Sequence, residues 1–150
     1  MMAFCNQQQE TMPPKTLLYG DDERVMRWVC ERIGITPFDD YRAIGLVHGN
    51  ALIAGTVYER FSECDVNLHV AAASPYAMTR QFLVASFYYP FITAGKRRVT
   101  GLVPANNQRA LAFDLKLGFK REGLIRRALP GGEDLLVLGM LREECRLIQG

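Results

Sequence analysis

The sequence predicts an α/β domain, a mixed and mostly antiparallel sheet with helices on both faces. Three observations predict it. Apolar residues recur at helical spacing in some segments and at alternate positions in others. Turn and cap residues separate those segments, at Asp21-Asp22, Gly49-Asn50 and Pro130-Gly131-Gly132. A strand–helix–strand step between residues 64 and 103 implies one parallel pair joined by a right-handed crossover.

The elements follow in order. Residues 1–14 are polar, rich in Gln and closed by Pro13-Pro14, which suggests a flexible arm, with one domain over residues 15–150. Residues 16–19 read as a short strand. Asp21 and Asp22 offer an N-cap to a helix carrying Val25, Met26, Val29, Cys30 and Ile33, with Arg32 in its last turn and Gly34 after its end. Residues 41–48 and 51–61 form a hairpin about Gly49-Asn50. In the third run Val66, Leu68 and Val70 alternate with Asp65, Asn67 and His69, predicting one buried and one polar face. Residues 79–89 are a helix with Phe82, Leu83, Ser86 and Phe87 along one side, ending near Pro90. Residues 99–103 are a compact strand. Asn107 caps a helix bearing Ala110, Leu111, Leu115 and Leu117, which Gly118 stops. Residues 119–129 and 135–141 are the last two strands.

Composition sets bounds on function. Hydrophobic residues make up 49% and charged residues 23%, the balance of a globular protein, and no apolar run approaches a membrane span. The start of the chain lacks the basic and apolar regions of a secretory signal. A net charge of +2 is too mild to argue for nucleic acid. Cys5, Cys30, Cys64 and Cys145 are scattered, and His48 and His69 complete no zinc spacing, so reduced thiols in a cytoplasmic protein and no metal are expected.

The segment from Asn107 to Gly123 carries Asn107, Ala110, Lys116, Gly118, Phe119, Glu122 and Gly123 in the pattern Asn-x-x-Ala, apolar helix, Lys-x-Gly-Phe, Glu-Gly. With the element order and the closing Gly139-Met140-Leu141, it resembles the GNAT superfamily of acyl-CoA N-acyltransferases. It is also similar to small GNAT-fold proteins of tailed phages. The same residues serve packing in any α/β domain: Gly118 ends a helix, Phe119 fills a core and Gly123 permits a bulge.

The resemblance implies an acetyl-CoA-dependent N-acetyltransferase acting on a small-molecule or protein amine. Its CoA pyrophosphate loop maps onto residues 73–82, which contain no glycine. Thr79 still caps the following helix, Arg80 can pair with phosphate, and backbone N–H groups near Arg80 and Gln81 can meet an anion. Pantetheine would run along Val70, Ala71 and Ala72. Asn107 and Phe113 are further cofactor-binding candidates, with N-cap and core packing as their plain structural roles. The tyrosine that serves as acid in many relatives is replaced by Asp114. His69 is the first choice of catalytic base because its ordinary pKa suits neutral pH, and Glu59 is the second.

Other classes remain open. A catalytically silent GNAT-fold binding module is the alternative. Nucleic-acid binding through Arg97-Arg98, Lys120-Arg121 and Arg126-Arg127 lacks a recognition motif and ranks last. The aromatic cluster Phe87, Tyr88, Tyr89 and Phe91 is a candidate homodimer face, although core packing also explains it.

Overall fold

A computed structural model describes residues 13–149 of the chain, so the arm expected over residues 1–14 lies, apart from its two prolines, outside the described residues. The elements are β1 (Lys15–Leu18), α1 (Asp22–Ile33), β2 (Tyr41–His48), β3 (Ala51–Glu59), β4 (Asn67–Ala72), α2 (Arg80–Tyr88), β5 (Arg98–Pro104), α3 (Gln108–Leu117), β6 (Lys120–Ile125) and β7 (Leu135–Leu141). Short 3-10 turns lie at Pro75–Ala77 and Arg142–Glu144. A π turn at Tyr89–Thr93 follows α2, where Pro90 supplies no N–H to continue an α-helix.

The strands form one seven-stranded sheet in the order β1-β2-β3-β4-β5-β7-β6. All neighbours are antiparallel except β4 and β5. That parallel pair is the crossover expected between residues 64 and 103. It is also brief: the register holds only at Asn67↔Thr100 and Leu68↔Gly101. Beyond those positions the strands are no longer paired, and the sheet opens between Val70–Ala72 on one side and Leu102–Pro104 on the other.

Helices cover both faces. On one, Val25, Met26, Val29 and Cys30 of α1 pack on Ala43, Val57 and Ala71. Gly45 and Gly55 face each other across β2 and β3, and a Cβ on either would meet the side chain of Val25 within 2.9 Å. The glycine pair is therefore what lets α1 press onto the sheet. On the other face, Phe87 of α2, Phe91 just beyond it, and Leu111 and Phe119 around α3 share a core with Tyr58, Leu68, Val99 and Leu138. Gly34 and Gly118 close α1 and α3 in the left-handed region, as their positions predict.

Several expectations change. Asp21 stands at the start of α1 but makes no side-chain cap; Asp22 instead accepts from the N–H of Ala43 at 3.2 Å and ties the helix to β2. The strand expected over residues 119–129 ends at Ile125, because Arg127 turns the chain with φ 51° and its N–H bonds Asp134 Oδ1. The bulge expected at Gly123 is present, with Glu122 skipped between Arg121 and Gly123 in the register with β7. In α3 the inward arc is Ala110, Leu111, Asp114 and Leu117, while Leu115 is exposed. Of the aromatic cluster offered as a homodimer face, Phe87 and Phe91 belong to the core and only Tyr88 is exposed.

Candidate active site

The polar residues of β4 do not face open solvent. Asn67 is buried and His69 half-buried, so the polar face expected from alternation is an interior one. Alternation says which side chains share a face, not what covers it. Here β3 supplies the partner. His69 Nε2 lies 2.9 Å from Glu59 Oε1, and Asn67 Nδ2 donates to the same oxygen at 3.2 Å. The imidazole also packs against the Phe38 ring, at 5.0 Å between centroids. In the tautomer that donates from Nε2 to Glu59, Nδ1 keeps a lone pair. His69 is the first residue of β4 beyond the last pair with β5, so the dyad stands at the root of the opening.

Polar groups continue on neighbouring strands. Arg98 of β5 holds Glu122 through two nitrogens, at 2.6 and 3.2 Å, and Thr100 donates to Asp65. Glu122 reaches Arg98 across β7 at Gly139, where any Cβ would collide with its carboxylate. This network, which sequence reasoning missed, gives the Glu-Gly motif and Gly139 a structural role. Its signal was present in the spacing of Arg98 and Glu122 but needed the strand order to be read.

On the other face of the sheet stand α2 and α3. Thr79 caps α2 by accepting from Phe82 N–H at 3.2 Å, and Asn107 caps α3 by accepting from Ala110 N–H at 3.1 Å. Phe113 is half-buried on α3. Asp114, in the slot of the missing tyrosine, has no donor to its carboxylate among the described residues, and burial pushes its pKa up to about 6.

The fit of this ground to acetyl-CoA is uneven. Val70, Ala71 and Ala72 pair with β3 but not with β5, so their backbone groups on the β5 side are open to a slender arm. The phosphate loop is different. Its N–H groups at Ala77 and Met78 already bond Ser74 and Pro75 within the 3-10 turn, and Ala77 is buried against Phe82. The first two N–H groups of α2, at Arg80 and Gln81, have no partner among the described residues. The side chains of Arg80 and Gln81 line a cavity on the flank of α2 away from α3. The structure thus brings His69, Glu59, Val70, Ala71 and Ala72 together, and sets the Arg80 and Gln81 side chains apart.

No family model matches the sequence, and no curated protein matches it by sequence. Solved structures do match by shape. A mutant form of the spermidine/spermine N-acetyltransferase SpeG from Vibrio cholerae aligns with TM-score 0.71 over 87% of this chain and 96% of that one, at 12% identity. A chimera of Vibrio cholerae SpeG with hSSAT gives TM-score 0.69 over 86% and 96%, at 13% identity. The chain has the GNAT acetyltransferase fold. Identities this low establish the GNAT fold alone. The matches lend no support to the likeness to phage proteins. Within this GNAT fold, no helix of the described residues is long and apolar enough to cross a membrane. Among those residues no cluster of His, Cys, Asp or Glu stands ready for a metal, and Cys30, Cys64 and Cys145 are unpaired.

Proposed function

We propose that the protein is an acetyl-CoA-dependent N-acetyltransferase acting on a small amine. The observation that carries this is the Glu59–His69 dyad at the root of the β4–β5 opening, where a base adjoins a stretch of β4 that is unpaired toward β5. Acetyl-CoA supplies the activated acyl group. Val70, Ala71 and Ala72 hold its arm, and the N–H groups of Arg80 and Gln81 meet its phosphate at the positive end of α2.

His69 Nδ1 takes a proton from the ammonium of the acceptor, while Glu59 holds the ring and stabilises the imidazolium that results. Asp65, just before β4, and Glu122 of β6 add negative charge, which favours a cationic acceptor, although Arg98 offsets part of it. Asp114 is the proton donor on the α3 side. Its raised pKa leaves a protonated fraction at neutral pH that an ordinary carboxyl lacks. The amine-acting activity named for the Vibrio cholerae enzyme is in keeping with this class of acceptor.

A catalytically silent binding module is the alternative, and the glycine-free turn at Pro75–Ala77 favours it. Isothermal titration with acetyl-CoA separates the two. Micromolar binding, about −8 kcal/mol, followed by CoA release with an amine, supports the transferase. His69→Ala then lowers kcat by about 10²- to 10⁴-fold with acetyl-CoA affinity kept. No heat and no thermal shift with acetyl-CoA assigns the chain to the binding module.

A further inference from the structure

We propose that the cavity between α2 and the β1–β2 edge of the sheet is a second ligand site, for a small aromatic carboxylate. Its volume is about 890 Å³, in the range of small-molecule sites. The walls are mainly apolar and aromatic. Tyr58 and Ile44 come from the sheet, and Val84 and Ala85 from α2. The Tyr58 hydroxyl donates to Ser86 O at 2.6 Å, so this buried phenol is already satisfied and contributes its ring. Tyr89 lies against it at 4.7 Å between centroids.

The rim adds exposed aromatics. Tyr19 is 61% exposed and Tyr88 51%, and both line the cavity with large apolar surfaces left in water. Two exposed tyrosines lining an apolar cavity suit a flat ring system, which would take their faces out of water.

Charge decides the rest of the ligand. Arg42 and Arg80 both line the cavity, and neither meets a carboxylate among the described residues. Arg42 bonds only the adjacent carbonyl of Tyr41, at 3.1 Å. Asp22 is the acidic lining residue, and its Oδ2 is engaged by the N–H of Ala43. Two cations without a carboxylate partner against one engaged carboxylate leave the mouth positive, and a guanidinium favours a planar carboxylate.

The body of this site is separate from the acyl-transfer ground, and the two meet only at the first turn of α2, where the Arg80 and Gln81 residues line the cavity. Phe87 on the other flank of α2 meets Phe119 beside α3, at 6.0 Å between centroids, so the helix stands between the two. The proposal therefore does not rest on the transferase assignment.

Titration of the full chain with naphthalene-2-carboxylate, and with the uncharged naphthalene-2-methanol, tests it. Saturable one-to-one binding of the acid is expected, about tenfold or more tighter than the alcohol. Arg42→Ala should erase that difference by weakening the acid alone. Ala85→Trp should fill the cavity and abolish both with circular dichroism unchanged; if that variant does not fold, Tyr19→Ala on the exposed rim should weaken both. Absence of saturable binding, equal affinity for acid and alcohol, or an unaffected Arg42→Ala would overturn the proposal. Competition by saturating acetyl-CoA would overturn the separateness of the site.

Discussion

The two sides of the β4–β5 opening differ in what they keep of the GNAT pattern. On the α3 side, residues 107–123 carry the whole motif, and its residues pack or cap. Asn107 caps, Gly118 turns, Phe119 fills the core, and Glu122 pairs with Arg98 across Gly139. On the α2 side, the loop that would hold phosphate has no glycine and is folded about a 3-10 turn that takes up the N–H groups of Ala77 and Met78. The recognisable part of the sequence is thus the part that builds the fold. The part that would bind the co-substrate carries none of that pattern's glycines, and a likeness of fold says nothing about it.

Breaking the packing side should give the largest effect on stability. Phe119 is buried, tilts against Phe87 at 6.0 Å and covers Gly101. Phe119→Ala should cost about 3–5 kcal/mol, read as a lower denaturant midpoint with the slope kept. A loss below about 1 kcal/mol would mean that α3 does not anchor the core as described.

Asp114 sharpens the comparison, because it is the one motif-side residue that works against the fold. Its carboxyl titrates at about 6 in the folded chain against an ordinary value of 3.8. A raised folded pKa gives stability that is full below the unfolded value and is lost as pH rises through the folded one. The chain should therefore weaken between about pH 4 and 6 on this account, by up to about 3 kcal/mol. Asp114→Asn should raise the thermal midpoint at pH 7 and leave it nearly unchanged at pH 4. An equal shift at both pH values would show that burial of the charge is not the cause. If Asp114 is also the proton donor, the same variant loses turnover while gaining stability.

The sequence made some of this readable and concealed the rest for physical reasons. The α1 helix, the hairpin of β2 and β3, and the caps at Thr79 and Asn107 carry local signals, because periodicity, Gly at φ > 0 and N-cap oxygens act within a few residues. His69 and Glu59 were legible as candidates, but their meeting depends on the β3–β4 register that sets Val57 opposite His69. Leu115 was expected inward and Asp114 was not. Helical spacing fits either arc, and only the neighbouring elements decide between them. The cavity had no signal, since Tyr19, Arg42, Tyr58 and Tyr88 come from four separate segments.

The smallest effects come from the two caps, and they divide the sides most cleanly. Thr79 and Asn107 do the same local job, each accepting one N–H in the first turn of its helix. Thr79→Ala and Asn107→Ala should each cost about 1 kcal/mol. Their effects on acetyl-CoA should diverge. Removing the Thr79 hydroxyl frees Phe82 N–H at the end of α2 where phosphate is proposed to sit, adding a third donor beside those of Arg80 and Gln81. Acetyl-CoA binding should hold or tighten slightly in Thr79→Ala despite the lost stability. Asn107→Ala frees a donor at the start of α3, away from that loop, and should leave phosphate contacts unchanged. Equal losses of acetyl-CoA affinity in both variants would place the phosphate elsewhere than the N-terminus of α2.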